Sequence, residues 1–246
     1  MIQKNELAVL STFSHDTLIR KDESVINRQE GGPAFYIKKV LEEEKTRYIL
    51  KTGKKMNVEI LVTKREEFGR VPKNSIPKKI KFSQIVTPFL LISSVLDEFN
   101  LENLYGFKGK IFFDIQGYVR DGDDFGKKKT WKPSKEVFGN IFCLKGTKEE
   151  LQNIPKKQRE AQKKKILLIT KGERGSEIFV FGKRYIVKPS KVIRSKNTVG
   201  AGDTFFSYVT AHFIKTKKVL DSIQYATEKT TLFLILKNTS KNHTFS

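Results

Sequence analysis

The chain has 246 residues, enough for one large α/β unit with a full core, with or without a small appendage. Hydrophobic residues make up 38% and charged residues 30%, a balance that excludes bulk disorder. The formal charge of +21 rests mainly on lysine in short clusters such as 127–129 and 163–165. That pattern fits a solvated surface rather than a nucleic-acid reader, which concentrates arginine and aromatics on one face.

The first apolar run, 7–10, reads as a strand leading into a polar turn at Ser14, His15 and Asp16. A polar, alternating segment, 17–28, follows. Gly31-Gly32-Pro33 then supplies a turn with proline at a favourable first helical position, and 34–44 has helical character. Residues 47–81 carry strand signals at 48–50 and 58–62 between connections rich in Lys, Gly, Asn and Pro, which reads as a small β appendage. Alternation of strand and helix resumes with a strand at 85–92, a helix near 94–99 and a short strand at 111–113 that ends in Asp114.

A further apolar run, 140–144, contains the single cysteine, Cys143, read as a buried thiol. Helical signals follow at 148–151 and 156–165, then a buried strand at 166–169 and a hairpin of 177–181 with 184–188 around Gly182. Gly200-Ala201-Gly202 opens a helix through Ile214, and a last helix occupies roughly 219–236. No apolar run is long enough to span a bilayer and Met1-Ile2-Gln3-Lys4-Asn5 does not begin a signal sequence, so a cytoplasmic location without membrane or specific nucleic-acid partners is expected.

The sharpest local feature is Asn197-Thr198-Val199-Gly200-Ala201-Gly202-Asp203. Small residues at a helix start let backbone N–H groups and the positive dipole end reach an anion. A carboxylate there stays ionised yet can accept a hydroxyl proton beside a phosphate. Phosphoryl transfer to an alcohol requires that combination.

These residues resemble the C-terminal signature of the ribokinase-like (PfkB) carbohydrate kinases, D-T-x-G-A-G-D, with Asn197 replacing the first Asp. Other motifs follow in the family's order. Gly31-Gly32-Pro33-Ala34 resembles the double-glycine motif facing the substrate, and Asp16 the early substrate-binding Asp. Thr170-Lys171-Gly172-Glu173-Arg174-Gly175 is similar to T-x-G-E-x-G beside the nucleotide phosphates, and Asp114–Arg120 with Trp131 to a subgroup pattern at a strand end. Thr147-Lys148-Glu149-Glu150 stands where the family has N-x-x-E.

The resemblance implies a three-layer α/β fold with a mainly parallel central sheet, in one kinase domain over 1–246, with a small β lid near 17–28 and 47–81. It implies Gly200, Ala201 and Gly202 as the anion hole and Asp203 as catalytic base. Asp16, Gly31, Gly32 and Arg120 would bind the substrate, and Thr170, Gly172, Gly175 and Thr198 the nucleotide. Glu150 would serve Mg²⁺, with ATP as donor and a sugar, polyol or nucleoside as acceptor. A homodimer joined through exposed lid edges stays open. So does a degenerate relative that binds a sugar or nucleotide without turnover, which Asn197, Thr147 and the short stretch between Glu44 and Ile85 motivate.

Overall fold

The computed structural model describes residues 6–19, 24–62, 67–82, 84–195 and 197–239. Eight strands form the main sheet: β1 (Leu7–Leu10), β4 (Tyr48–Lys51), β7 (Phe89–Ile92), β8 (Lys110–Asp114), β9 (Ile141–Thr147), β10 (Ile166–Thr170), β11 (Ser176–Val180) and β12 (Lys183–Val187). Their spatial order is β12-β11-β10-β9-β8-β7-β1-β4. All pairs from β10 to β4 are parallel, and the β10–β11–β12 edge is antiparallel.

Strand side chains alternate between the two faces, so each face has its own core. Leu7, Val9, Leu91, Phe112 and Leu168 pack on one side against α1 (Pro33–Glu43), α6 (Ala201–Thr216) and α7 (Val219–Thr239). Ala8, Leu10, Ile92, Phe113 and Leu144 face the other side. There they meet residues of α2 (Gln116–Val119), α3 (Lys135–Asn140) and α4 (Lys148–Leu151). The short α5 (Lys156–Lys163) then leads into β10. Helices on both faces of a mostly parallel sheet give the three layers expected.

A second, four-stranded sheet has the order β3-β2-β5-β6 and is built from β2 (Ser14–Ile19), β3 (Val25–Gly31), β5 (Met56–Val62) and β6 (Glu67–Arg70). Its inner face contributes Leu18, Met56, Val58 and Ile60 to a third apolar cluster. The main body supplies Tyr36, Val95, Leu96 and Phe125 to the same cluster.

Several expectations need correction. Tyr48–Lys51 is not part of the appendage: it pairs in parallel with Leu7–Leu10 as the edge strand of the main sheet. Ser14, His15 and Asp16 are not a turn but the first three residues of β2. Their alternation of buried Ser14, exposed His15 and buried Asp16 is that of a strand, hidden in the sequence because the inward positions are polar. The strand expected over 85–92 shortens to Phe89–Ile92 after Pro88, which has no N–H for a ladder. No helix forms over 94–99. The amides of Val95 and Leu96 donate instead to the carboxylate of buried Glu98, at 3.2 and 2.8 Å, so a side chain takes protons that a helix would give to carbonyls. Of the expected appendage segments, residues 20–23 and 63–66 lie outside the described residues, as does the N-terminal segment 1–5.

Candidate active site

Residues from both sheets line one cavity of about 1180 Å³. At its centre lies the turn into α6. Gly200 caps the helix with φ +81°, a left-handed conformation that suits glycine. A Cβ there would lie 2.2 Å from the Tyr36 ring. The Ala201 amide donates to the Thr198 carbonyl at 2.9 Å. The next two amides, of Gly202 and Asp203, lie in the first turn and have no intrahelical acceptor. They and the helix dipole are therefore open to an anion at the N-terminal end of a 16-residue helix.

The turn is held from behind. The Val199 amide donates to Asn197 Oδ1 at 3.1 Å, and Lys237 of α7 donates to the Val199 carbonyl at 2.6 Å. Asn197 thus keeps the acceptor oxygen that an aspartate would offer to this amide. Its Nδ2 is buried with no hydrogen-bond partner among the described residues.

Asp203 is buried on the cavity wall. Burial is the largest influence on it and pushes its carboxyl up to about 6. The Lys145 ammonium opposes that rise, Asp114 adds to it, and the Ser93 hydroxyl and Arg120 act downward. Ser93 Oγ lies 3.0 Å from Asp203 Oδ1 and 3.2 Å from Asp114 Oδ2, and Lys145 Nζ bonds Asp114 Oδ2 at 2.7 Å. Burial alone favours a neutral lysine, but Asp114, Glu150 and Asp203 hold Lys145 above the ordinary lysine range. A Cβ on Gly202 would sit 3.0 Å from Lys145 Nζ, so the buried cation borders the anion site.

Ser93 and Lys145 are absent from the residues that the sequence singled out. Lys145 ends an apolar run and Ser93 follows one, and neither has a local motif. Their partners lie in neighbouring strands, Lys145 being paired in register with Asp114.

One arm of the cavity runs beneath the small sheet. Asp16 accepts from Ser14 Oγ at 2.5 Å. Its carboxylate occupies the space a Cβ on Gly31 would need, with Oδ2 at 1.9 Å from that position. At Gly32, with φ +78°, a Cβ would lie 2.6 Å from the Thr12 carbonyl oxygen and 2.7 Å from the Ser14 nitrogen. Arg120 donates to the Val95 carbonyl at 3.3 Å and lies over Phe125 with its Cζ 4.2 Å from the ring centroid. Val58, Ile60 and Phe68 roof this arm. Trp131 is outside it, stacked on Phe113 at 5.0 Å, and His15 pairs with Glu30 at the surface.

The other arm is lined by Thr170, Gly172, Gly175 and Thr198, with Lys171, Arg174, Lys191 and Arg194 around them. Glu177 bonds Lys171 at 2.5 Å. Hydrogen bonds from Arg184 and then Lys171 hold the Glu177 carboxyl down at about 2.

Glu150 lines the cavity, but it also closes a capping box. Its Oε2 accepts from the Thr147 amide at 2.8 Å, and its own amide donates to Thr147 Oγ1 at 3.1 Å. Among the described residues no group of three or more His, Cys, Asp or Glu side chains is placed to hold a metal.

The sequence pattern of the pfkB family carbohydrate kinases matches residues 107–233, more than half of the chain. The chain belongs to the pfkB carbohydrate kinase family. Its fold agrees with that of solved ribokinase-family structures. A pyrophosphate-dependent kinase of the ribokinase family, solved with a pyrophosphate analog and myo-inositol, superposes with a TM-score of 0.70 at 15% identity. That match covers 93% of this chain and 94% of the other. Arabidopsis thaliana ribokinase, in complex with ribose and ATP, matches with a TM-score of 0.63 at 14% identity, over 92% and 91% of the two chains. A nucleoside kinase of Methanocaldococcus jannaschii matches at 0.59 and 13%, over 91% of each chain. No curated protein matches the sequence. Thr198 to Asp203 of the signature and Gly32 and Pro33 of the double-glycine motif line the same cavity, and Gly31 packs against Asp16 on its wall.

Proposed function

We propose that this pfkB-family protein is a small-molecule kinase that transfers the γ-phosphoryl group of ATP to a hydroxyl of a sugar, polyol or nucleoside. The observation that carries the reading is the place of Asp203. Its buried carboxylate lines the cavity shared by residues of both sheets, in the same helical turn as the amides of Gly202 and Asp203. An acceptor hydroxyl held by Asp16 and Arg120 gives its proton to Asp203. Its oxygen forms a bond to the γ-phosphorus as the bond to the leaving diphosphate breaks. The amides of Gly202 and Asp203 and the α6 dipole stabilise the negative charge on the transferred group.

The donor lies along Thr170, Gly172, Gly175 and Thr198, whose arm carries Lys171, Arg174, Lys191 and Arg194. Glu150, with one oxygen committed to Thr147, fits a Mg²⁺ ion held chiefly by donor phosphates and water. Such an ion supplies charge neutralisation on the phosphates. The small sheet acts as a lid that covers the acceptor and keeps water from the donor.

The test is a panel of sugars, polyols and nucleosides incubated with Mg²⁺ and either ATP or pyrophosphate, with phosphorylated product followed by ³¹P NMR. Pyrophosphate belongs in the panel because the donor arm is rich in cations and a structurally similar kinase uses that donor. The expected result is product from at least one acceptor with ATP, absent in Asp203→Asn. Saturable ATP binding without product from any acceptor would favour a binding protein without turnover.

A further inference from the structure

Three adjacent strands of the main sheet present one polar side chain each to the same carboxylate on α6. Ser93 directly follows β7, Asp114 ends β8, and Lys145 lies in β9. All three are at most 3% exposed, and burying a carboxylate, an ammonium and a hydroxyl at one point is costly unless their bonding is complete. Fold stability gives little reason to keep such a group where apolar side chains would pack.

The hydrogen bonds impose a direction. Asp114 Oδ2 accepts from the Lys145 ammonium at 2.7 Å, and Asp114 Oδ1 accepts from the Gln116 amide at 3.2 Å. Both oxygens of Asp114 are thus supplied. Ser93 has a single hydroxyl proton and lies nearer to Asp203 Oδ1, at 3.0 Å, than to Asp114 Oδ2, at 3.2 Å. The shorter contact is to Asp203 Oδ1, and among the described residues no hydrogen bond to the second oxygen of Asp203 is seen.

We propose that Ser93, Asp114 and Lys145 are positioning residues for Asp203. Ser93 fixes one carboxylate oxygen, and the Asp114–Lys145 pair behind it sets the charge that Asp203 meets. The inference rests on the reading of Asp203 as the base that takes the acceptor proton. The charged groups facing Asp203 are Asp114 on β8, Lys145 on β9 and Arg120 after α2, with Asp16 of β2 lining the same cavity. The two members of the pair act on Asp203 in opposite directions, so their removal has opposite effects. Loss of the Lys145 cation or the Ser93 donor makes Asp203 easier to protonate, whereas loss of the Asp114 charge makes it harder.

The experiment is an NMR titration of the Asp203 carboxyl carbon in the full chain labelled with ¹³C-aspartate, without donor or acceptor. The signal is assigned by its loss in Asp203→Asn. The midpoint is expected to rise by about one pH unit or more in Lys145→Met, to rise by less in Ser93→Ala, and to fall in Asp114→Asn. Midpoints that do not move, or that move the same way in Lys145→Met and Asp114→Asn, would overturn the proposal. If Lys145→Met does not fold, the opposed shifts of Ser93→Ala and Asp114→Asn decide alone. Because no substrate is used, failure here leaves the kinase reading intact, and an empty acceptor panel leaves this result intact.

Discussion

Asp203 must lose its proton to work as a base, yet burial beside Asp114 pushes its carboxyl up to about 6 from 3.8. The fraction in the base form therefore grows as pH rises through about 6. The kcat/KM for the acceptor, which reports groups of the free protein, is expected to follow an acid limb with a midpoint near that value. The linkage has the opposite sign for stability. Between pH 3.8 and about 6 the folded state keeps on Asp203 a proton that the unfolded chain has lost. This residue's contribution to stability is thus full below the lower value and is lost as pH rises through the upper one. Asp203→Asn removes both dependences. It keeps the size of the side chain and the open amides, so turnover is expected to fall by about 10²–10⁴-fold with ATP affinity little changed. Undiminished turnover in that variant, measured beside ATP affinity by calorimetry, would remove Asp203 from the base role.

At the scale of the element, what was legible in the sequence depended on how local its cause is. The α6 turn could be read because its requirements are contiguous: a left-handed glycine at 200, small residues at 201 and 202, and an acid at 203. The first three residues of β2 do not read as a strand because their inward positions are Ser14 and Asp16 rather than apolar residues, so the period of two carries no hydrophobic signal there. Tyr48–Lys51 reads as part of the appendage because its membership of the main sheet depends on pairing with Leu7–Leu10, about forty residues earlier. Ser93 and Lys145 carry no local signal for the same reason, since the sheet order β9-β8-β7 is what brings them to Asp203. The β2–β3 pair also yields a test. Gly31 lies opposite Ser14 in the ladder, and a Cβ there would stand 1.9 Å from Asp16 Oδ2. Gly31→Ala is expected to displace the Asp16 carboxylate without touching the donor arm. The KM for the acceptor should then rise about tenfold or more, the equivalent of about 1.4 kcal/mol, while ATP affinity stays the same. An unchanged acceptor KM would show that Asp16 does not hold the acceptor.

For the whole molecule, the relation between the two sheets determines whether the cavity can close. The main sheet is covered on both faces and buries many of its strand residues completely. Among the described residues the small sheet buries one face, against Tyr36, Val95, Leu96 and Phe125, and its outer strands β3 and β6 leave edges without a further strand. Fewer buried apolar contacts mean a lower free energy of local opening, which is the property a lid needs. If the small sheet closes on substrate, its amides should exchange with solvent readily in the free protein and slowly in the closed complex. The expected outcome in hydrogen exchange is slowing of residues 16–18 and 58–60 by at least about tenfold when a non-hydrolysable ATP analogue and the acceptor identified in the panel are both present. Amides of β8 and β9, deep in the main sheet, should change little. Equal protection of the small sheet with and without ligands would mean that it is a fixed wall, and exclusion of water would then have to come from the donor arm alone.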